Sequence, residues 1–189
     1  MAELAPEGPF EGCGLPLLAG DATLVASPEV ARVSVAPFSG QLEAASATLR
    51  ERTGTGLPAA GRAEDAVVWA GAGLWLVEGY APADVAGWLA GRAAVADQSD
   101  GWAGMRLTGP AAADVLARLV PLDVDPGSFP PGAAARSLLR HVPLLLVSRE
   151  AGFDLLVPRS FAATVVDEIG TAMRRLAARG SLTARRERL

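Results

Sequence analysis

The stretch at residues 97–162, DQSDGWAGMRLTGPAAADVLARLVPLDVDPGSFPPGAAARSLLRHVPLLLVSREAGFDLLVPRSFA, decides the fold. Trp102–Leu107 reads as a strand, and Thr108-Gly109-Pro110 turns it sharply into a helix with Val115, Leu116 and Leu119 inward. Pro and Gly keep residues 122–134 out of regular structure. Arg136–His141, Pro143–Ser148 and Phe153–Val157 are expected strands. A helix opens at Ser160: Phe161, Val165, Ile169, Met173 and Leu176 recur at helical spacing, and Gly180 is the expected stop. Asp167 and Glu168 in its early half and Arg174, Arg175 and Arg179 in its last turns suit the helix dipole.

The preceding residues carry a looser copy of this plan. Val30–Ala36 alternates as a strand, and Ser39 offers a cap to a helix over Gly40–Arg52 whose apolar face is Leu42, Ala45 and Leu49. Gly54 is its expected left-handed stop, and a loop runs over Thr53–Gly61. Ala66–Ala70 and Leu74–Glu78 form a hairpin around Gly71–Gly73. Pro82 and Asp84 open a helix with Val85, Trp88 and Leu89 buried and Gly91 at its end, and Ala94–Asp97 is a short strand. The sentences GLWLVEGYAPADVAGWL and GFDLLVPRSFAATVVDEI run parallel. The expected fold class is therefore α+β. Two βαββα-type units, residues 29–96 and 97–180 of a domain over 29–180, form antiparallel-rich sheets with helices packed on one face. Residues 1–28, rich in Gly, Pro and Ala, read as an extended N-terminal arm with Phe10, Leu15, Leu17 and Leu18 available for packing. Residues 181–189 read as a basic C-terminal tail.

Bulk properties bound the function. The 189 residues are 50% hydrophobic and 20% charged, enough for a real core. A net charge of −4 argues against general nucleic-acid binding. All 17 basic residues are arginine. The single cysteine, Cys13, builds neither an internal disulfide nor a cysteine metal site and fits a reducing cytoplasm. No secretory leader pattern and no apolar run of about 20 residues is found, so a soluble cytoplasmic protein without membrane association is expected.

Motifs for catalysis are absent from the sequence: there is no strand–GxGxxG–helix context, no P-loop, no HExxH and no GxSxG. His141, the only histidine, lies beside Arg140 and has no nucleophile motif to serve. Asp97 and Asp100 form a polar patch with Gln98 and Ser99, and Asp123 and Asp125 precede a Pro-Gly turn. The four tryptophans, Trp69, Trp75, Trp88 and Trp102, are expected mostly in the core. The residues support no catalytic, cofactor-binding or metal-binding site. Asp97, Asp100, Trp102, Arg136, His141 and Arg159 are the candidate partner-interface residues.

The order DQSDGW (97–102), LTGPAAADVLARL (107–119), PLDV (121–124), FPPG (129–132) and VPRSFA (157–162) resembles the γ subunit of bacterial heterotetrameric sarcosine oxidase. That family is similar in fold to the folate-binding part of glycine-cleavage aminomethyltransferases. The hairpin Leu139–Leu145 has no carboxylate where those enzymes place an aspartate near the folate-bound carbon unit, and Ser148-Arg149-Glu150-Ala151-Gly152 stands near their Tyr-Thr-Gly-Glu segment. The resemblance implies an accessory, non-catalytic subunit docked on a large α subunit, with β and δ subunits in the same complex. The N-terminal arm and the arginine-rich C-terminus are its expected docking devices. FAD, FMN, NAD, zinc and tetrahydrofolate are expected on the other subunits. The complex would oxidise the N-methyl group of sarcosine, pass the one-carbon unit to tetrahydrofolate, and reduce oxygen to hydrogen peroxide. Two alternatives stay open: a related oxidoreductase for another N-methyl amino acid, such as N-methylglutamate, and a stand-alone folate-binding protein. Cys13 in EGCGL lies outside the KGCY-type motif of the iron–sulfur maturation proteins that exemplify the second alternative.

Overall fold

A computed structural model describes residues 7–186, with side chains through Gly180. The strands are β1 (Leu17–Ala19), β2 (Ala22–Ala26), β3 (Arg32–Pro37), β4 (Ala63–Glu64), β5 (Val67–Gly71), β6 (Leu74–Glu78), β7 (Ala93–Asp97), β8 (Trp102–Thr108), β9 (Ala134–Leu139), β10 (Val142–Arg149) and β11 (Gly152–Pro158). The helices are α1 (Leu42–Thr53), α2 (Pro82–Trp88), α3 (Ala112–Leu116) and α4 (Ala162–Arg186). They build a mixed α+β fold with two antiparallel sheets, a six-stranded one ordered β1-β2-β8-β11-β10-β9 and a five-stranded one ordered β4-β5-β6-β3-β7.

Alternation along each strand sorts the side chains onto two faces. In β10, Val142, Leu144 and Leu146 point to a core shared with Val115 and Leu116 of α3 and with Val165, Val166, Ile169 and Met173 of α4. The intervening Leu145 and Val147 point the other way and meet Val68, Ala70 and Leu76 of the smaller sheet, together with Leu156 of β11. The far face of the smaller sheet (Val33, Val35, Val67, Trp75, Val77) packs on Ala45 and Leu49 of α1 and Val85 of α2. The layers therefore stack helix, sheet, sheet, helix, and β10 is apolar on both faces because both are covered. Backbone bonds stitch the sheets at one corner: Ala63 N–H donates to the Gly132 carbonyl and Ala134 N–H to that of Gly61, both at 2.8 Å.

The two sheets share a pairing order. β5-β6-β3 in one matches β10-β11-β8 in the other, but the strand beside β3 is β7, just after α2, whereas the strand beside β8 is β2, from the N-terminus. The expected extended arm over residues 1–28 is thus corrected: residues 17–26 form a hairpin inside the larger sheet, with Leu24 fully buried. Its turn is locked in place, since Ala111 N–H donates to the Asp21 carbonyl and Gly109, at φ +102°, leaves no room for a Cβ against that carbonyl. Residues 1–6 of the arm lie outside the described residues.

Helix ends also differ from expectation. α4 passes through Gly180 and reaches Arg186, so residues 181–186 continue the helix instead of starting a tail. An isolated glycine lowers helix propensity by only about 1 kcal/mol, and flanking residues carry it. The rest of the basic tail, residues 187–189, lies outside the described residues. Ser39 does not cap α1, which starts after Gln41 with no side-chain cap, while Gly54 does take the left-handed stop at φ +84°. α3 ends at Leu116, although Leu119 stays buried just beyond it. β9 ends at Leu139, so Arg140, at φ +57°, and His141 form the turn into β10 instead of the end of a strand.

Candidate functional site

Beyond the dry contacts, the layer between the sheets turns polar. Glu78 follows Leu76 by two residues on β6, Asp154 precedes Leu156 by two on β11, and Arg149 follows Val147 by two on β10, so each carries its charge onto the same face as the apolar residue. Arg32 and Glu78 sit opposite each other on β3 and β6. The Arg32 Nε donates to Glu78 Oε1 at 2.7 Å, with the Arg32 side chain 5% and that of Glu78 23% exposed. In the larger sheet, Arg106 and Asp154 are likewise cross-strand partners. Arg106 Nε donates to Asp154 Oδ1 at 2.5 Å and Arg149 Nε to Oδ2 at 2.7 Å. Burial pushes the Asp154 carboxyl up, but hydrogen bonds and charge from Arg106 and Arg149 outweigh it and hold it below the usual carboxylate range.

These groups border two adjoining clefts. One, of about 160 Å³, lies between Arg32, Glu78, Arg106, Arg149 and Asp154 and the apolar edge at Val68, Val147 and Leu156. The other, of about 280 Å³, is lined by Arg32, Ser99, Asp100, Trp102 and Arg159 and by the chain at Pro9–Phe10 and Ser27–Ala31. Gly104 of β8 makes this possible: a Cβ there would stand 2.8 Å from Arg32 Nη2 and 3.3 Å from the Ser27 Cβ.

Of the six candidate interface residues, Asp100, Trp102 and Arg159 line the second cleft. Asp97 lies next to it: its Oδ1 accepts from the Ser99 hydroxyl at 2.6 Å and the Ser99 N–H at 2.9 Å, and those two bonds lower its pKa. Ser99 Oγ in turn accepts from the Arg32 N–H at 3.1 Å. Arg136 reaches across the inter-sheet face and sets its guanidinium carbon 5.6 Å from the centre of the Trp102 ring. Arg159 Nη2 donates to the Glu7 carbonyl at 2.5 Å, with Glu29 Oε1 4.0 Å from its Nη1. His141 is exposed at the β9–β10 turn and belongs to neither cleft. Arg32, Glu78, Arg106 and Asp154 were not singled out from the sequence. Their only signal was a charged residue on the second face of an expected strand, which solvent explains equally well.

Asp123 and Asp125 organise their own turn, with Asp125 N–H donating to Asp123 Oδ1 and Gly127 N–H to Asp125 Oδ1. A wider apolar groove of about 680 Å³ lies between Pro110, Ala113, Val124, Phe129 and Phe153. Among the described residues, no three His, Cys, Asp or Glu side chains are gathered in a metal-holding group. No helix among them is long and apolar enough to cross a membrane.

This architecture defines a class: an α+β protein of two antiparallel sheets packed face to face, each covered by helices, with its charges concentrated at one end of the shared layer. No family model and no curated protein sequence matches the chain. Among solved structures, a chain of the heterotetrameric sarcosine oxidase from Corynebacterium sp. U-96, in complex with pyrrole 2-carboxylate, superposes with a TM-score of 0.79 at 25% identity, over 91% of this chain and 96% of that one. The protein thus has the fold of a subunit of a heterotetrameric sarcosine oxidase. The ligand-free regulatory subunit of aspartate kinase from Thermus thermophilus matches at a TM-score of 0.44 and 13% identity over 79% of this chain and 96% of that one, a likeness that carries no functional argument.

Proposed function

We propose that this chain is the γ-type, non-catalytic subunit of a heterotetrameric sarcosine oxidase. The observation that carries the reading is the end-to-end structural match to a chain of such an enzyme, in which almost nothing of either chain is left over. The residues agree with a supporting role: the charged side chains of the inter-sheet layer are engaged with one another, and His141 is exposed away from them. In this reading the α subunit is the main docking partner and β and δ complete the assembly. FAD, FMN, NAD, zinc and tetrahydrofolate reside on those chains. The complex converts sarcosine and oxygen to glycine and hydrogen peroxide, with the methyl carbon passing to tetrahydrofolate, in the cytoplasm.

The test is co-expression with the neighbouring genes followed by affinity purification through this chain. The expected result is a stoichiometric complex with flavin absorbance and sarcosine-dependent peroxide formation, while the isolated chain shows neither. A lone chain that turns over sarcosine, or one that binds tetrahydrofolate tightly by calorimetry, would overturn the reading. A complex active on another N-methyl amino acid and inactive on sarcosine would correct the substrate and keep the subunit role.

A further inference from the structure

Arg32 is the one charged side chain among the described residues that is buried, at 4% exposure. A guanidinium offers five N–H donors, and a buried one is costly unless they are used. Arg32 uses few of them. Nε serves Glu78 at 2.7 Å, Nη1 reaches the Trp102 carbonyl only at 3.5 Å, and Nη2 has no hydrogen-bond partner among the described residues. No side-chain nitrogen or oxygen in the described residues is both fully buried and unpartnered, so Nη2 keeps access to open space. Arg32 lines both clefts, but Nη2 lies against Gly104, which lines only the 280 Å³ one.

An unpartnered guanidinium N–H at a cleft wall is a charge-assisted donor that suits a carboxylate oxygen. The other charges on the cleft wall are Arg159, Glu29 and Asp100. A phosphate or sulfate dianion would meet two carboxylates there, whereas a zwitterion satisfies both signs at once. The volume lies just below the usual lower bound of small-molecule sites, about 300 Å³, which suits a ligand of few heavy atoms. We propose that this cleft binds a small zwitterionic amino acid, its carboxylate on Nη2 of Arg32, its ammonium toward Asp100 and Glu29, and its carbon atoms against Trp102. The lining residues named are this chain's own, and the proposal does not depend on the assignment of the chain to an oxidase.

The test is isothermal titration of the full chain with glycine, L-alanine, N-methylglycine, acetate and methylammonium. Saturable binding of at least one zwitterion is expected, with acetate roughly tenfold weaker and methylammonium not detected. Asp100→Asn, at an exposed turn where folding is not at stake, is expected to weaken the zwitterion roughly tenfold and leave acetate unchanged. Arg32→Lys is expected to abolish binding of both. The proposal is overturned if no zwitterion saturates, if acetate binds as tightly as glycine, or if Asp100→Asn leaves zwitterion affinity unchanged.

Discussion

The two ends of the layer between the sheets use the same strands to opposite effect. At one end Leu76, Leu145 and Leu156 close on Val68 and Val147 and leave no polar group behind. At the other, two residues further along, Glu78, Arg149 and Asp154 join Arg32 and Arg106, and clefts open between them. The dry end gains from the hydrophobic effect, about 1.5–3 kcal/mol for each fully buried aliphatic side chain. The charged end gains little net stability, because desolvation cancels much of the attraction between paired ions. Stability is thus concentrated at one end and binding capacity at the other, a division that mutation can test.

Leu145 is fully buried in the dry end. Leu145→Ala is expected to have the largest effect, a loss of about 3 kcal/mol in urea unfolding from transfer and cavity terms together. A loss below about 1 kcal/mol would show that the sheets slide to close the gap and that the dry end is not close-packed.

At the charged end, Arg32→Met strands the Glu78 carboxylate and is expected to cost about 2 kcal/mol, less than a fully buried pair because Glu78 keeps 23% exposure. Combining it with Glu78→Leu is expected to recover most of that loss, since apolar isosteres often replace a buried ion pair without penalty. If the double variant is as unstable as the single one, the ion pair contributes more than the comparison allows.

Gly104→Ala tests the join between the ends. Its new Cβ would press on Arg32 Nη2, Leu156 Cδ2 and the Ser27 Cβ. A loss of about 1–2 kcal/mol in thermal unfolding is expected, the usual cost of overpacking. An unchanged melting temperature would mean that the Arg32 guanidinium moves freely into the cleft.

The smallest effect at neutral pH concerns acid. The Asp154 carboxyl titrates below its unfolded value near 3.9, so its contribution is present above that pH and is lost as pH falls through the folded value. Asp154→Asn is expected to flatten the acid limb of stability below about pH 4 relative to the parent. An identical acid limb in parent and variant would show that Arg106 and Arg149 hold the carboxylate no more firmly than water does.

Most strands could be read from alternation alone. The run Leu144–Val147 is apolar at every position, which fits a strand covered on both faces, and Pro143 and Ser148 bound it. The hairpin of β1 and β2 was not legible, because its strands are short and lie among Gly and Pro, and β2 pairs with β8, far along the chain. The cleft was half legible. Asp100, Trp102 and Arg159 stood out by local wording, whereas Arg32 and Glu78 did not, since nothing local distinguishes a charge facing solvent from one facing a second sheet.

From Asp97 to Ala162 the sequence by itself determined a strand, a sharp Thr-Gly-Pro turn, a short helix, three further strands and a long helix, because each is set by a period and by turn residues that act within a few positions. Tertiary structure alone decided what meets the second face of each strand. A period of two says that a residue is on one face or the other, and leaves open whether that face meets water, a helix or another sheet. Here it meets another sheet, and this contact turns Arg32 from a surface charge into the buried wall of a cleft.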